Sequence, residues 1–165
     1  TRIITKGNTF SLSLDPSTAG VTDSVHTWSA ETVDENSFNN DEDIDTIDVD
    51  YSDNTQGSTL DNLDETDITV EMTRQLDSGP DRSTISVNDA NNGNYSGDTA
   101  TFDLSGYYTT DITNDSNNPD IVVTIGDSGD NTGAENPSQG SYTATITLNG
   151  ESGSSVSDTV SYETT

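Results

Sequence analysis

The strongest constraint in this chain is a period of two, in which apolar residues recur at every second position with polar residues between them. Successive side chains of an extended strand point to opposite faces, so the pattern specifies strands with one buried and one wet face. Phe10, Leu12 and Leu14 alternate with serines, Ile47, Val49 and Tyr51 with Asp48 and Asp50, and Ile68, Val70 and Met72 with Thr69 and Glu71. The same rule holds for Ile85 and Val87, for Phe102 and Leu104, and for Ile121, Val123 and Ile125. Tyr142, Ala144, Ile146 and Leu148 alternate with threonines, and Val156, Val160 and Tyr162 follow near the end. Trp28 lies in another short run, Val25-His26-Thr27-Trp28-Ser29-Ala30. Clusters of Asn, Asp, Ser and Gly at 91–94, 127–131 and 149–153 stand between runs. They are expected as turns, because such residues tolerate left-handed backbone angles or bond their own main chain. Helical apolar spacing is absent, apart from one candidate turn over 60–66 with Ser58 as its cap. The expectation is an all-β protein, an antiparallel sandwich of about nine or ten strands, of immunoglobulin-like or jelly-roll type.

Composition by itself points elsewhere. Hydrophobic residues are 27% of the 165, and the net charge is -27, a combination typical of disordered chains. The alternation overrides that average, since it gathers the few apolar residues onto faces that can be buried together. The length suits a single domain, and we read 1–14 as an N-terminal strand or arm and 15–165 as the sandwich. The 31 acidic residues face 4 basic ones, Arg2, Lys6, Arg74 and Arg82. Phosphate backbones need clustered cations, so nucleic acid and anionic membrane surfaces are excluded as partners. No run approaches the ~18 apolar residues of a membrane span. The absence of cysteine removes disulfides and thiolate chemistry. The start at Thr1 is read as a mature product whose leader has been removed.

Catalytic readings fare poorly, and no enzyme is expected. A serine or threonine nucleophile needs a base, and the single histidine, His26, lies beside Trp28 in a strand, as a structural residue would. Among so many carboxylates, pairs arise by chance and carry no information. Asp48, Asp50 and Ser52 mimic the first ligands of a calcium loop, but Asp53 stands where such a loop requires glycine and no glutamate closes it. Their alternation with apolar residues favours a solvent face, with calcium as the other reading. Asp127, Asp130 and Asn131 form a weaker second candidate. Asn94-Tyr95-Ser96 and Asn114-Asp115-Ser116 fit the N-glycosylation pattern, both in expected loops.

Two further features bear on architecture and partners. Gly140-Ser141-Tyr142-Thr143-Ala144 resembles the tyrosine corner of immunoglobulin-like sandwiches, in which the phenol bonds back to upstream main chain. Half of the basic residues, Arg2 and Lys6, flank Ile3 and Ile4 on one short arm. A β-branched, mildly basic segment ahead of an acidic sandwich suits strand donation to a neighbouring copy through Ile3, Ile4, Phe10, Leu12 and Leu14. It equally suits the first strand of the chain's own domain.

The dispersed, Asp-dominated charge resembles that of proteins from extremely halophilic archaea. Segments such as Ile47-Asp48-Val49-Asp50-Tyr51, Thr66-Asp67-Ile68-Thr69-Val70 and Gly140-Ser141-Tyr142-Thr143-Ala144-Thr145 are similar to haloarchaeal secreted cell-surface β-sandwich proteins. The opening Lys6-Gly7-Asn8-Thr9-Phe10-Ser11-Leu12-Ser13-Leu14 resembles the start of mature filament subunits of the TasA-like and archaeal bundling-pilus group. That resemblance implies a non-catalytic extracellular filament subunit, copies of itself as partners, and an N-terminal strand that completes the next subunit's sandwich. The alternative is a surface adhesin or surface-layer binding module, in which acidic loops hold calcium or a ligand.

Overall fold

The computed structural model describes residues 9–30, 44–54, 56, 59–61, 63, 67–76, 79–86, 93–104, 120–126, 133–150 and 153–165, with backbone alone for 44, 72–76, 79–86, 93–96 and 120. The strands are β1 Phe10–Asp15, β2 Val25–Ala30, β3 Ile44–Asp50, β4 Ile68–Leu76, β5 Gly79–Ser86, β6 Gly93–Ser96, β7 Thr99–Asp103, β8 Asp120–Ile125, β9 Gly140–Gly150 and β10 Ser155–Thr164. They form two five-stranded sheets, one ordered β1-β2-β8-β4-β5 and the other β10-β9-β3-β7-β6. All the pairings are antiparallel. Among the described residues there is no helix, and none long and apolar enough to cross a membrane.

The period of two translates directly into packing. Trp28, Ile47, Val49, Tyr51, Val70, Phe102, Ile121, Val123, Ile125, Ile146 and Leu148 all turn inward and join one core drawn from both sheets. Leu12, Leu14, Tyr142 and Val160 pack against its margin. Outward positions of the same strands carry Ser, Thr, Asp and Asn, which keep their hydration. Burying apolar area is the main favourable term in folding, so this sorting lets an acidic chain form a core.

Strand margins depart from the sequence expectation in several places. Gly93 and Asn94, expected in a turn, belong to β6, where Asn94 lies opposite Thr101 of β7. The turn is instead Gly97-Asp98, with Gly97 at φ 67°, the left-handed backbone of a tight hairpin. Pairing with β7 outweighs the turn preference of asparagine. Asn149 likewise lies inside β9. The β4–β5 hairpin runs past the visible alternation, placing Arg74 opposite Asp81 and Pro80 opposite Gln75. Proline is tolerated there because β5 is an edge strand, whose outer N–H groups have no ladder partner. Of the candidate helical turn, Leu60 and Leu63 are buried and joined by a bond from Leu63 N to Leu60 O of 3.4 Å, without a helix. Its proposed cap, Ser58, lies outside the described residues.

The free margins of β1 and β10 are fastened to one another. Phe10 N donates to Asp158 Oδ2 at 2.7 Å, and at the other end Thr165 N donates to Ser17 O at 3.0 Å while Ala19 N donates to Thr165 O at 2.9 Å. Asp158 takes an inward register on β10, between Val156 and Val160. Its carboxylate is thereby spent on the backbone of the opposing sheet.

Candidate functional site

The chemistry that the sequence does not advertise collects at one end of the sandwich. His26 and Trp28 project inward from β2, Tyr51 follows β3 in the opposing sheet, and Asn136 comes from the segment before β9. Trp28 Nε1 donates to Tyr51 Oη at 2.9 Å. Asn136 Nδ2 spends both hydrogens on carbonyls, Pro16 O at 2.8 Å and Thr18 O at 2.9 Å. Its Oδ1 must therefore accept, and the donor is His26 Nε2 at 2.8 Å. A neutral ring protonated at Nε2 has a bare Nδ1, so Tyr51 Oη donates to it at 3.1 Å. The chain of donors is complete and has one direction.

Burial reinforces that tautomer. Removal from water pushes the His26 pKa down to about 4 from its usual 6.5, against a smaller upward pull from the bond to Asn136. Burial likewise drives the Tyr51 phenol far above its ordinary value, so it remains a protonated donor. His26 is fully enclosed and both ring nitrogens are engaged, which gives it a structural place in the core.

Around this inner layer stands an aromatic rim. Tyr51 meets Tyr162 edge to face at 6.0 Å between centroids, and Tyr162 stacks on Tyr142 at 5.6 Å. Tyr142 Oη donates to Ser138 O at 2.8 Å, four residues upstream, as the corner motif in the sequence leads one to expect. Ser138 is held in turn by Gln56, whose Nε2 donates to Ser138 Oγ at 2.6 Å and whose Oε1 accepts from Ser138 N at 3.2 Å. Tyr162 Oη has no hydrogen-bond partner, although the residue is only 4% exposed. Burial, then the charge of Asp98, then Tyr142 and Asp53 drive its pKa upward. Asp98 Oδ1 accepts from Thr59 N at 3.2 Å and Asp53 Oδ2 from Thr143 N at 2.9 Å.

The residues singled out in the sequence fall elsewhere. Phe10, Leu12 and Leu14 lie in β1, opposite Ala30, Trp28 and His26 of the same chain. Ile3, Ile4, Asn114 and the 127–131 cluster lie outside the described residues. Asn94 sits in a strand and not in the expected loop, at a register position whose β7 partner, Thr101, is exposed. Asp48 and Asp50 are on the outward side of β3. Asp48 accepts from Thr101 Oγ1 at 2.6 Å and Asn149 Nδ2 at 2.8 Å, and Asp50 Oδ1 accepts from Ser52 N at 2.7 Å. Ser52 meets Asp50 through its main-chain N–H. Among the described residues no three His, Asp or Glu side chains group to hold a metal ion. The surrounding face is a lattice of hydroxyls, with Thr145 and Thr159 at 2.8 Å and Thr147 and Ser157 at 2.8 Å across β9 and β10.

No protein-family model matches the chain, and no curated protein matches it. Among solved structures, one described as BspA_C_mut is similar at 12% identity and a TM-score of 0.35, over 86% of this chain and 39% of that one. The chain thus spans about two fifths of that structure's length, and a likeness at this score carries no argument. What the geometry defines is an all-β, two-sheet sandwich with a cross-linked polar and aromatic cluster at one end.

Proposed function

We propose that the protein is a non-catalytic structural subunit of an extracellular filament in a salt-rich medium, joined to its neighbours by its N-terminal strand. The observation that carries this reading is the position of β1, an edge strand with one ladder partner, β2, which continues the basic arm of Arg2, Ile3, Ile4 and Lys6. A β1 donated between copies would make the same register, Phe10 to Ala30 and Leu12 to Trp28, that it makes within one chain. Exchange of an identical element costs little once the intervening chain permits it. The net charge of -27 suits a surface working in concentrated salt, where screening shrinks to ~3 Å and self-repulsion falls away. We also read the sandwich as immunoglobulin-like. The order β1-β2-β8 in one sheet and β10-β9-β3 in the other, with the tyrosine corner at the start of β9, supports that assignment.

Electron microscopy of the purified protein in high salt tests the assembly. Filaments are expected from the full chain and folded, dispersed particles after deletion of Thr1 to Thr5. Filaments that persist after the deletion would remove the arm ahead of β1 from the mechanism. Dispersed particles from the full chain would instead favour a surface-bound adhesin or binding module.

A further inference from the structure

We infer that Asn136 is a clasp that keeps β1 in its own chain, and that opening it shifts the protein towards exchange of β1 with a second copy; this rests on the reading of β1 as the strand that joins neighbours.

Exchange of β1 between identical copies would leave most of its contacts unchanged. The ladder with β2, the burial of Phe10 and the bond from Phe10 N to Asp158 Oδ2 are all remade in the recipient sandwich, so they do not discriminate between the two forms. What differs is the connector, residues 16–24. It must turn back for β1 to pair with the β2 that follows it, and must extend for β1 to reach another copy. The balance between closed and exchanged chains is therefore set by what holds the connector folded.

That hold is polar and concentrated on one residue. Residues 16–23 contribute nothing to the apolar core, and Pro16, Thr18 and Gly20 are exposed. Asn136 grips the connector through both its side chain and its main chain. Its Nδ2 donates to Pro16 O at 2.8 Å and Thr18 O at 2.9 Å, its main-chain N donates to Val21 O at 2.8 Å, and its carbonyl accepts from Gly20 N at 3.2 Å. The remaining group, Oδ1, accepts from His26 Nε2 at 2.8 Å, and the residue is buried. The clasp is thus rooted in the core and cannot follow the connector outward. A second tie lies beside it, where Thr165 N donates to Ser17 O at 3.0 Å and Ala19 N donates to Thr165 O at 2.9 Å. All of these bonds join the connector to the body of the same chain, and they are the ones lost when it extends.

The chain has no cysteine, so the double substitution Ser11→Cys/Ser29→Cys, at register partners on β1 and β2, reports where β1 is paired. Oxidation gives an intrachain bond in the closed form and an interchain bond in the exchanged form, which non-reducing electrophoresis separates. The protein is incubated in concentrated salt at a dilution where this parent is mainly intrachain, then oxidised. Adding Asn136→Asp keeps the acceptor for His26 but removes both Nδ2 donors. It should raise the ratio of interchain to intrachain product by about tenfold or more, as the loss of two hydrogen bonds implies. Ala19→Pro, outside the core, removes the N–H bonded to Thr165 and should raise the ratio as well. Asp158→Ala loosens β1 equally in both forms and should leave the ratio unchanged. If Asn136→Asp does not fold, Ala19→Pro decides. A ratio unmoved by the connector variants, or raised as much by Asp158→Ala, would overturn the clasp, and so would filaments that carry only intrachain bonds. Interchain bonds that rise without filaments would uphold the clasp and count against the filament reading.

Discussion

Acidification from about pH 7 to about pH 5 should weaken the fold through one side chain, His26, by an amount that follows from its surroundings. Protonating Nδ1 would set a second N–H against the Tyr51 hydroxyl, whose own hydrogen then has no acceptor, since Trp28 Nε1 only donates. The folded state therefore resists the proton, with a pKa near about 4 against 6.5 in the unfolded chain. A depressed folded value means that the unfolded chain binds the proton first as pH falls. The stabilising contribution is thus present above 6.5 and is lost progressively as pH drops towards about 4. The full difference corresponds to about 3 kcal/mol, of which about 2 kcal/mol should disappear between pH 7 and pH 5. Two assays separate this effect from the 31 carboxylates. The imidazole resonances of the only histidine, followed by NMR in the folded protein, should remain those of the neutral ring at pH 5. Urea unfolding at both pH values should show a larger loss in the parent than in His26→Gln. An imidazole titrating near 6.5 in the folded state would refute both the tautomer and the hydrogen-bond chain built on it.

Other expectations follow from neighbouring contacts. Tyr51→Phe strands Trp28 Nε1 and His26 Nδ1 together, so urea unfolding should show a loss of about 2–5 kcal/mol, while Tyr142→Phe, which removes the bond to Ser138 O, should cost only about 1 kcal/mol. Asp158→Ala should free the start of β1, with a stability loss of about 1–2 kcal/mol and faster amide hydrogen exchange at Leu12 and Leu14. Gly126→Ala should cost about 3 kcal/mol or more by thermal unfolding, because Gly126 has φ 100° and a Cβ there would lie 2.5 Å from Ser24 O. Dialysis into low salt should reduce the β signal in circular dichroism, and a spectrum indifferent to salt would argue against the role assigned to the charge.

Strand identity and facing were legible in the sequence because they are local properties. Side chains alternate within a few residues of backbone, and that sufficed to mark Ile47, Val49 and Tyr51 as inward and Asp48 and Asp50 as outward. The Tyr142 bond to Ser138 was legible for the same reason, since only four residues separate the partners. Tertiary structure alone decided the rest. His26 meets Asn136 across 110 positions, and no local pattern records that meeting. A short strand such as β6 exists because β7 pairs with it, against the turn preference of its asparagine. Periodicity decides which face of a strand is wet, but packing decides which distant groups must share the dry interior and satisfy one another there.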